Sequence, residues 1–187
     1  MKNQINYLVE KVNIKTAVAA TLFFVLMLYL IDYSLIGVAG LLKVSNGTNI
    51  LDFETRYSAD FAYNLLESMG EAGRHFHLTK VMVLDIFFPP SLMLFMFCWL
   101  SLQLKRVTTS GSKLRYVIIL PLIYLLLDYT ENIGITAMLI NYPARLNNIC
   151  VATGIISSIK KTSVLLCIIA AIGLGVAMLF KKRGKKD

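Results

Sequence analysis

Residues Thr16–Leu42, TAVAATLFFVLMLYLIDYSLIGVAGLL, decide the fold class. Asp32 is their only charged residue. As a helix, a run of this length covers about 40 Å, enough to cross a hydrocarbon core roughly 30 Å thick with some tilt. A secretory signal also begins with charge, here Lys2, Lys11 and Lys15. Its apolar part, however, is only about 7–15 residues long. A retained membrane span is therefore expected.

The rest of the chain agrees. Of 187 residues, 57% are hydrophobic and 16% charged, and the mean hydropathy is +0.66. A soluble domain would carry about 25% charge. Further apolar runs place spans at about 16–42, 81–104, 116–140 and 151–180, the fourth being clearest from Thr162 to Phe180. Pro89 and Pro90 fall inside the second span and predict a kink. Between the first two spans, SADFAYNLLESMG (58–70) reads as a short amphipathic helix. Ser58 suits its N-cap, Phe61, Leu65, Leu66 and Met69 recur at helical spacing, and Gly70 suits the exit. It is expected to lie on the membrane surface or to cap the bundle.

Orientation follows from the distribution of Lys and Arg. The N-terminal segment holds three, the loop at Lys105, Arg106, Lys113 and Arg115 four, and the tail at Lys181, Lys182, Arg183, Lys185 and Lys186 five. The opposite side holds seven, diluted in the first loop by five acids. The predicted fold is an all-α transmembrane four-helix bundle in one membrane domain, 1–187, with both termini cytoplasmic. The outer loop, 43–80, carries the amphipathic helix. The cell membrane is the expected location, with the endoplasmic reticulum membrane as the alternative.

The net charge of +8 would suit nucleic acid. The tail cations, however, directly follow an apolar run, where they hold a helix end at an anionic surface. No nucleic-acid partner is expected; membrane lipids are. Cys98, Cys150 and Cys167 contain no C-x-x-C pair, which excludes a disulfide scaffold and paired-cysteine redox chemistry. No nucleophile elbow, phosphate loop or zincin motif is present, and no cofactor is indicated. Asn46-Gly47-Thr48 is a glycosylation sequon on the expected outer side.

The functional signal lies in ionisable residues within the spans. A charge at the bilayer centre costs at least about 2.5–3.5 kcal/mol and normally faces the bundle interior or water. Asp32 lies in the first span, Asp85 in the second, Asp128 and Glu131 with Asn132 in the third, and Lys160 and Lys161 in the fourth. Counted from the cytoplasmic helix ends, Asp128 lies about 18 Å deep, Glu131 about 22 Å, Asp32 about 24 Å, and Asp85 and Lys161 about 28 Å. Asp128, Glu131 and Asn132 share a helical face, with Tyr124 a turn below. Thr153, Ser157 and Lys160 form a matching stripe if the fourth helix starts early. Arg74 and Asp85 share a face if their helix is continuous. The expected picture is a polar funnel opening outward. Neighbouring carboxylates in low dielectric perturb one another's titration, and such groups can carry a proton, bind a cation or serve as acid and base.

Gly73-Arg74-His75-Phe76-His77 is a second candidate. Glu71 and His75 stand at i, i+4, but a metal needs three or four ligands and no third has suitable spacing, so no metal site is expected. Arg74 and Lys80 suit contact with a lipid headgroup.

RYS (56–58), LLESMGEAGR (65–74), LDIFFP (84–89), LPLIYLLLDYTEN (120–132) and NYP (141–143) together resemble an uncharacterised family of small four-span membrane proteins. The resemblance implies that Arg74, Asp85, Asp128, Glu131 and Asn132 are family-like positions, and attaches no activity. The layout also resembles sterol-isomerase and sigma-receptor-like membrane proteins, which have four or five spans, buried acids and a basic tail. Those use aromatic-rich pockets, whereas Trp99 is the one tryptophan here. Binding or transport of a small cation, proton or amphiphile is the leading expectation. An intramembrane lipid-modifying enzyme and a non-catalytic subunit of a membrane complex are the alternatives, the last implying an oligomer or membrane partner.

Overall fold

The computed structural model describes residues 2–183; Met1 and the tail residues Lys185 and Lys186 lie outside the described residues. The chain is an all-α bundle, with no strand among the described residues and four helical stretches long and apolar enough to cross a membrane. It opens with a helix absent from the sequence reading, α1 (Lys2–Lys11), which buries Ile5 and Val9. α2 (Ile14–Leu28) follows behind a reciprocal cap, in which the Asn13 side chain accepts from the Thr16 N–H and the Thr16 hydroxyl accepts from the Asn13 N–H.

The first span is not the continuous rod that its apolar run predicts. α2 passes into a π-helical turn over Tyr29–Tyr33, the chain turns extended at Ser34, and α3 (Val38–Val44) begins anew. Two small residues make the break. The Ser34 hydroxyl donates to the Leu30 carbonyl at 2.5 Å, competing locally with helix continuation. Gly37 lies so close to the Leu30 and Ile31 carbonyls that a Cβ would collide with both. Hydropathy carries no trace of this, because Ser and Gly are tolerated in apolar runs.

After a 3₁₀ turn at Leu51–Phe53 comes α4 (Ala59–Ser68), the expected amphipathic helix. Ser58 caps it by accepting from the Phe61 N–H, and Gly70 leaves at φ +68. Its buried residues are Ala62, Tyr63 and Leu66, which pack on Ile135, Met138 and Leu139, so the helix covers one end of the bundle. Phe61 is exposed.

The second span begins earlier than 81. α5 (Gly70–Phe76), a π-helical turn at His77–Val81 and α6 (Met82–Leu84) form its first part, and α7 (Phe88–Val107) its second. The two prolines do not kink a continuous helix; they open α7, where a first turn needs no intrahelical N–H. Between Arg74 and Asp85 the π-helical turn at His77–Val81 shifts the helical register, and the two residues line different cavities.

α8 (Ile119–Asn141) follows a 3₁₀ turn that buries Arg115. α9 (Asn147–Arg183) starts before 151. The tightest packing joins α8 to α9, where a Cβ at Gly134 would collide with Thr153. α7 packs on both, and α2 leans on α7. There Ala17 and Ala20 bring the backbones close, and Trp99 Nε1 donates to Thr21 Oγ1 at 2.9 Å.

α1 closes the opposite end from α4. Arg115 Nη1 meets Glu10 Oε1 at 2.9 Å, Lys105 Nζ reaches the Val12 carbonyl at 2.5 Å, and the Gly111 N–H donates to Asn6 at 3.2 Å. Lys181 Nζ donates to the Arg106 carbonyl at 2.9 Å, so the basic segments gather at this one end.

Gly37→Ala is expected to destabilise the protein by about 1–3 kcal/mol through overpacking at the break. Gly173→Ala, where a Cβ meets nothing within 4 Å, should leave the thermal midpoint in detergent unchanged. Equal midpoints for the two variants would show that the break is not held by close backbone approach.

Candidate functional site

The site is organised around one ammonium group. Lys160, on α9, places its Nζ 3.0 Å from Asp128 Oδ1 and 3.5 Å from Asp52 Oδ1, and pairs directly with Glu131 Oε2. Glu131 is completely buried, and Asp128 and Lys160 nearly so. The helical repeat of α8 explains the convergence. Asp128 and Glu131 are one turn apart, so both side chains turn to the same stretch of α9. Asn132 completes the face, its amide donating to Asp128 Oδ2 at 3.3 Å.

Asp52 was not foreseen. It sits in the loop between the first two spans, where nothing in the count of loop acids sets it apart. The signal was local: Ile50-Leu51-Asp52-Phe53 embeds the acid in apolar residues, and Ile50 and Leu51 are buried. The loop is fastened to α9 by its carbonyls. Glu54 O accepts from Ser157 Oγ at 2.9 Å and from Lys161 Nζ at 2.5 Å, and Thr55 O accepts from the Ser158 hydroxyl. α9 starts early enough to carry Thr153, Ser157 and Lys160, all three buried, and Thr153 packs against Gly134 of α8.

Asp85 reaches the site through the proline break. In a regular helix the Asp85 and Ile86 carbonyls would accept from residues 89 and 90, which are both proline and carry no N–H. Side chains of α8 satisfy them. Tyr129 donates its hydroxyl to Ile86 O at 2.9 Å, and the Asn132 amide approaches Asp85 O at 3.5 Å. Two missing donors therefore tie the second span to α8 and hold Asp85 beside Asp128.

A cavity of about 240 Å³ unites most of these groups. Asp32, Asp52, Asp85, Asp128, Lys160 and Lys161 line it with Tyr124, and Ile31, Val81 and Phe88 supply apolar wall. Both π-helical turns contribute to it, one through Asp32 and the other through Val81. Asp32 is half-buried and forms no ion pair among the described residues. Among the described residues, Asp52 Oδ2, Glu131 Oε1 and the Tyr57 hydroxyl are buried without a hydrogen-bond partner. Burial, with Glu131 and Asp52 nearby, raises the Tyr57 pKa, so that phenol remains a proton donor. Ile50, Asp52 and Phe53 of the loop supply one wall of the cavity.

Arg74 stands apart. It belongs to a separate cavity with Glu71, His75 and Tyr142 that shares no lining residue with the central one. His77 is fully buried, with neither ring nitrogen hydrogen-bonded among the described residues. Among the described residues, no group of three His, Cys, Asp or Glu is placed to hold a metal ion. The Lys160 ammonium occupies the centre of the acid cluster instead. Cys98, Cys150 and Cys167 are free and buried.

No family model, curated protein or solved structure matches the chain.

Removing one partner from a buried ion network leaves the others uncompensated, at about 3–5 kcal/mol. Lys160→Met should therefore unfold or strongly destabilise the protein, while Lys160→Met combined with Glu131→Gln and Asp128→Asn should recover much of the loss. Chemical denaturation in detergent measures both. A fully stable single variant would show that the ammonium is dispensable to the fold.

Proposed function

We propose that this chain is a multi-pass membrane protein whose central cavity binds a small cation or proton, or the cationic headgroup of an amphiphile, and passes it between the cavity and the medium at the α4 end. The observation carrying this reading is the imbalance of charge. Asp32, Asp52, Asp85, Asp128 and Glu131 supply five carboxyl groups, against two ammonium groups from Lys160 and Lys161. Lys160 already serves three of the acids, and Lys161 is directed to the Glu54 carbonyl. Asp32 and Asp85 thus face the cavity without an ion-pair partner among the described residues. Uncompensated charge in low dielectric is costly, so protons or a bound cation make up the difference.

We read both termini as cytoplasmic in the cell membrane, with the endoplasmic reticulum membrane as the alternative. Support comes from the gathering of the basic segments at the α1 end, the side that retains cations. The central cavity then lies toward the outer face.

The competing reading, an intramembrane enzyme acting on lipid, needs Arg74 or His77 to hold a headgroup over the carboxylates. Catalytic groups must converge within about 3 Å of one substrate position. Arg74 lies in another cavity and His77 is sealed in the core, so nothing favours this alternative over cation binding. A partner-dependent subunit would turn acids to lipid, whereas Asp85, Asp128 and Glu131 are buried.

Asp32→Asn lies outside the Lys160 ion network and so tests function apart from folding. In liposomes carrying an internal pH dye, and in thermal-shift titrations with simple alkylamines, Asp32→Asn and Asp85→Asn should lose at least about tenfold in response, as for a lost charge pair of roughly 1.4 kcal/mol. Circular dichroism should show the fold intact. Wild-type flux and amine response in both variants would end the proposal.

A further inference from the structure

The first half of the second span meets α8 at Met82–Thr136 and Ile86–Tyr129, and the surface beside these contacts is hollowed. Between Met82 and Val83 on one side and Ile133, Ala137 and Ile140 on the other runs a groove of about 810 Å³. Past Leu78 and Ile140, which belong to both, it continues into a cavity of about 470 Å³ bordered by Glu71, Arg74, His75 and Tyr142. Along α8 the groove extends from Tyr129 to Asn141, a rise of about 18 Å. That is close to one leaflet of a hydrocarbon core roughly 30 Å thick. The long part is apolar and the short part charged, in the order in which a lipid presents its chain and headgroup.

The charged end has a particular chemistry. Arg74 is held in place, its guanidinium stacked 3.8 Å from the Tyr142 ring centroid and Nη1 donating to the Leu66 carbonyl at 2.7 Å. No carboxylate pairs with it among the described residues, although Glu71 borders the same cavity one helical turn away. An unpaired cation and an unpaired anion, some 5–6 Å apart at Cβ on one helix face, match a headgroup that carries both signs.

We infer that the groove between α5–α6 and α8 holds a phospholipid with a zwitterionic headgroup, its phosphate on Arg74, its ammonium on Glu71 and one acyl chain along Val83, Ile133 and Ala137. The tyrosine and asparagine at the deep end are already committed to the Ile86 and Asp85 carbonyls, so they offer ring and methylene surface to the chain end. This site shares only Asp85 with the central cavity, and it stands whether or not that cavity binds a cation.

Native mass spectrometry of the full chain tests the assignment. The protein is purified in mild detergent and offered equal amounts of phosphatidylethanolamine, phosphatidylglycerol and diacylglycerol. Phosphatidylethanolamine should be retained roughly tenfold over each of the others, and Arg74→Gln and Glu71→Gln should each remove that preference. Ala137→Phe, which fills the groove, should lower retention of every class, while Leu166→Ala on the exposed face of α9 should change none. Equal retention of all three lipids by the wild type would overturn the inference. So would a preference for phosphatidylglycerol that Glu71→Gln strengthens, or selectivity unchanged in both charge variants. Glu71 is exposed, so its variant reports on binding even if Ala137→Phe does not fold.

Discussion

A single buried ammonium group organises how this bundle packs. Lys160 cannot remain in hydrocarbon without compensation, and its partners come from two other parts of the chain: α8 and the loop before α4. That requirement fixes the rotation of α9 and its register against α8, and it draws an extramembrane loop down between the helix ends. Apolar packing alone would distinguish these arrangements poorly, since hydrocarbon tails offer a helix nearly the same surroundings as another helix does. The ion network is therefore better understood as specifying the bundle than as adding much net stability to it.

The second span meets α8 by a different device. Prolines 89 and 90 remove two donors, and the orphaned carbonyls have no water to turn to inside a membrane. They are answered by Tyr129 and Asn132, both within the segment that supplies Asp128 and Glu131. One stretch of α8 thus serves both as a ligand for the Lys160 ammonium and as a splint for a broken neighbour. Mutations there would act on site and scaffold together.

The class of the fold was legible because its cause is local. Long apolar runs have no other stable home, and the Ser58 cap and Gly70 exit mark α4 by rules that act within a few residues. Convergence of Asp128, Glu131 and Lys160 was also readable, since helical spacing and the cost of intramembrane charge both point inward. Three features were not. The apolar neighbours of Asp52 hint at burial, but its meeting with Lys160 depends on the path of a loop, which local sequence does not encode. The break at Ser34–Gly37 depends on backbone approach between residues separated by less than two turns. Residues Lys2–Lys11 form a helix because the bundle offers Ile5 and Val9 a surface, and their own sequence is too short and polar to announce it. Arg74 was associated with Asp85 by assuming a regular α-helix, and the π-helical turn at His77–Val81 changes the register between them.

The close seat of Gly134 against Thr153 leaves α8 and α9 little freedom to slide, since even a methyl group has no room between them. The walls facing them are built from interrupted helices with π-helical turns and short segments. The molecule is in effect a fixed post opposite a jointed panel. Any opening and shutting of the interior would fall to the first span, carrying Asp32, while Asp85, tied to α8 through Tyr129 and Asn132, stays with the lysine and its counter-ions.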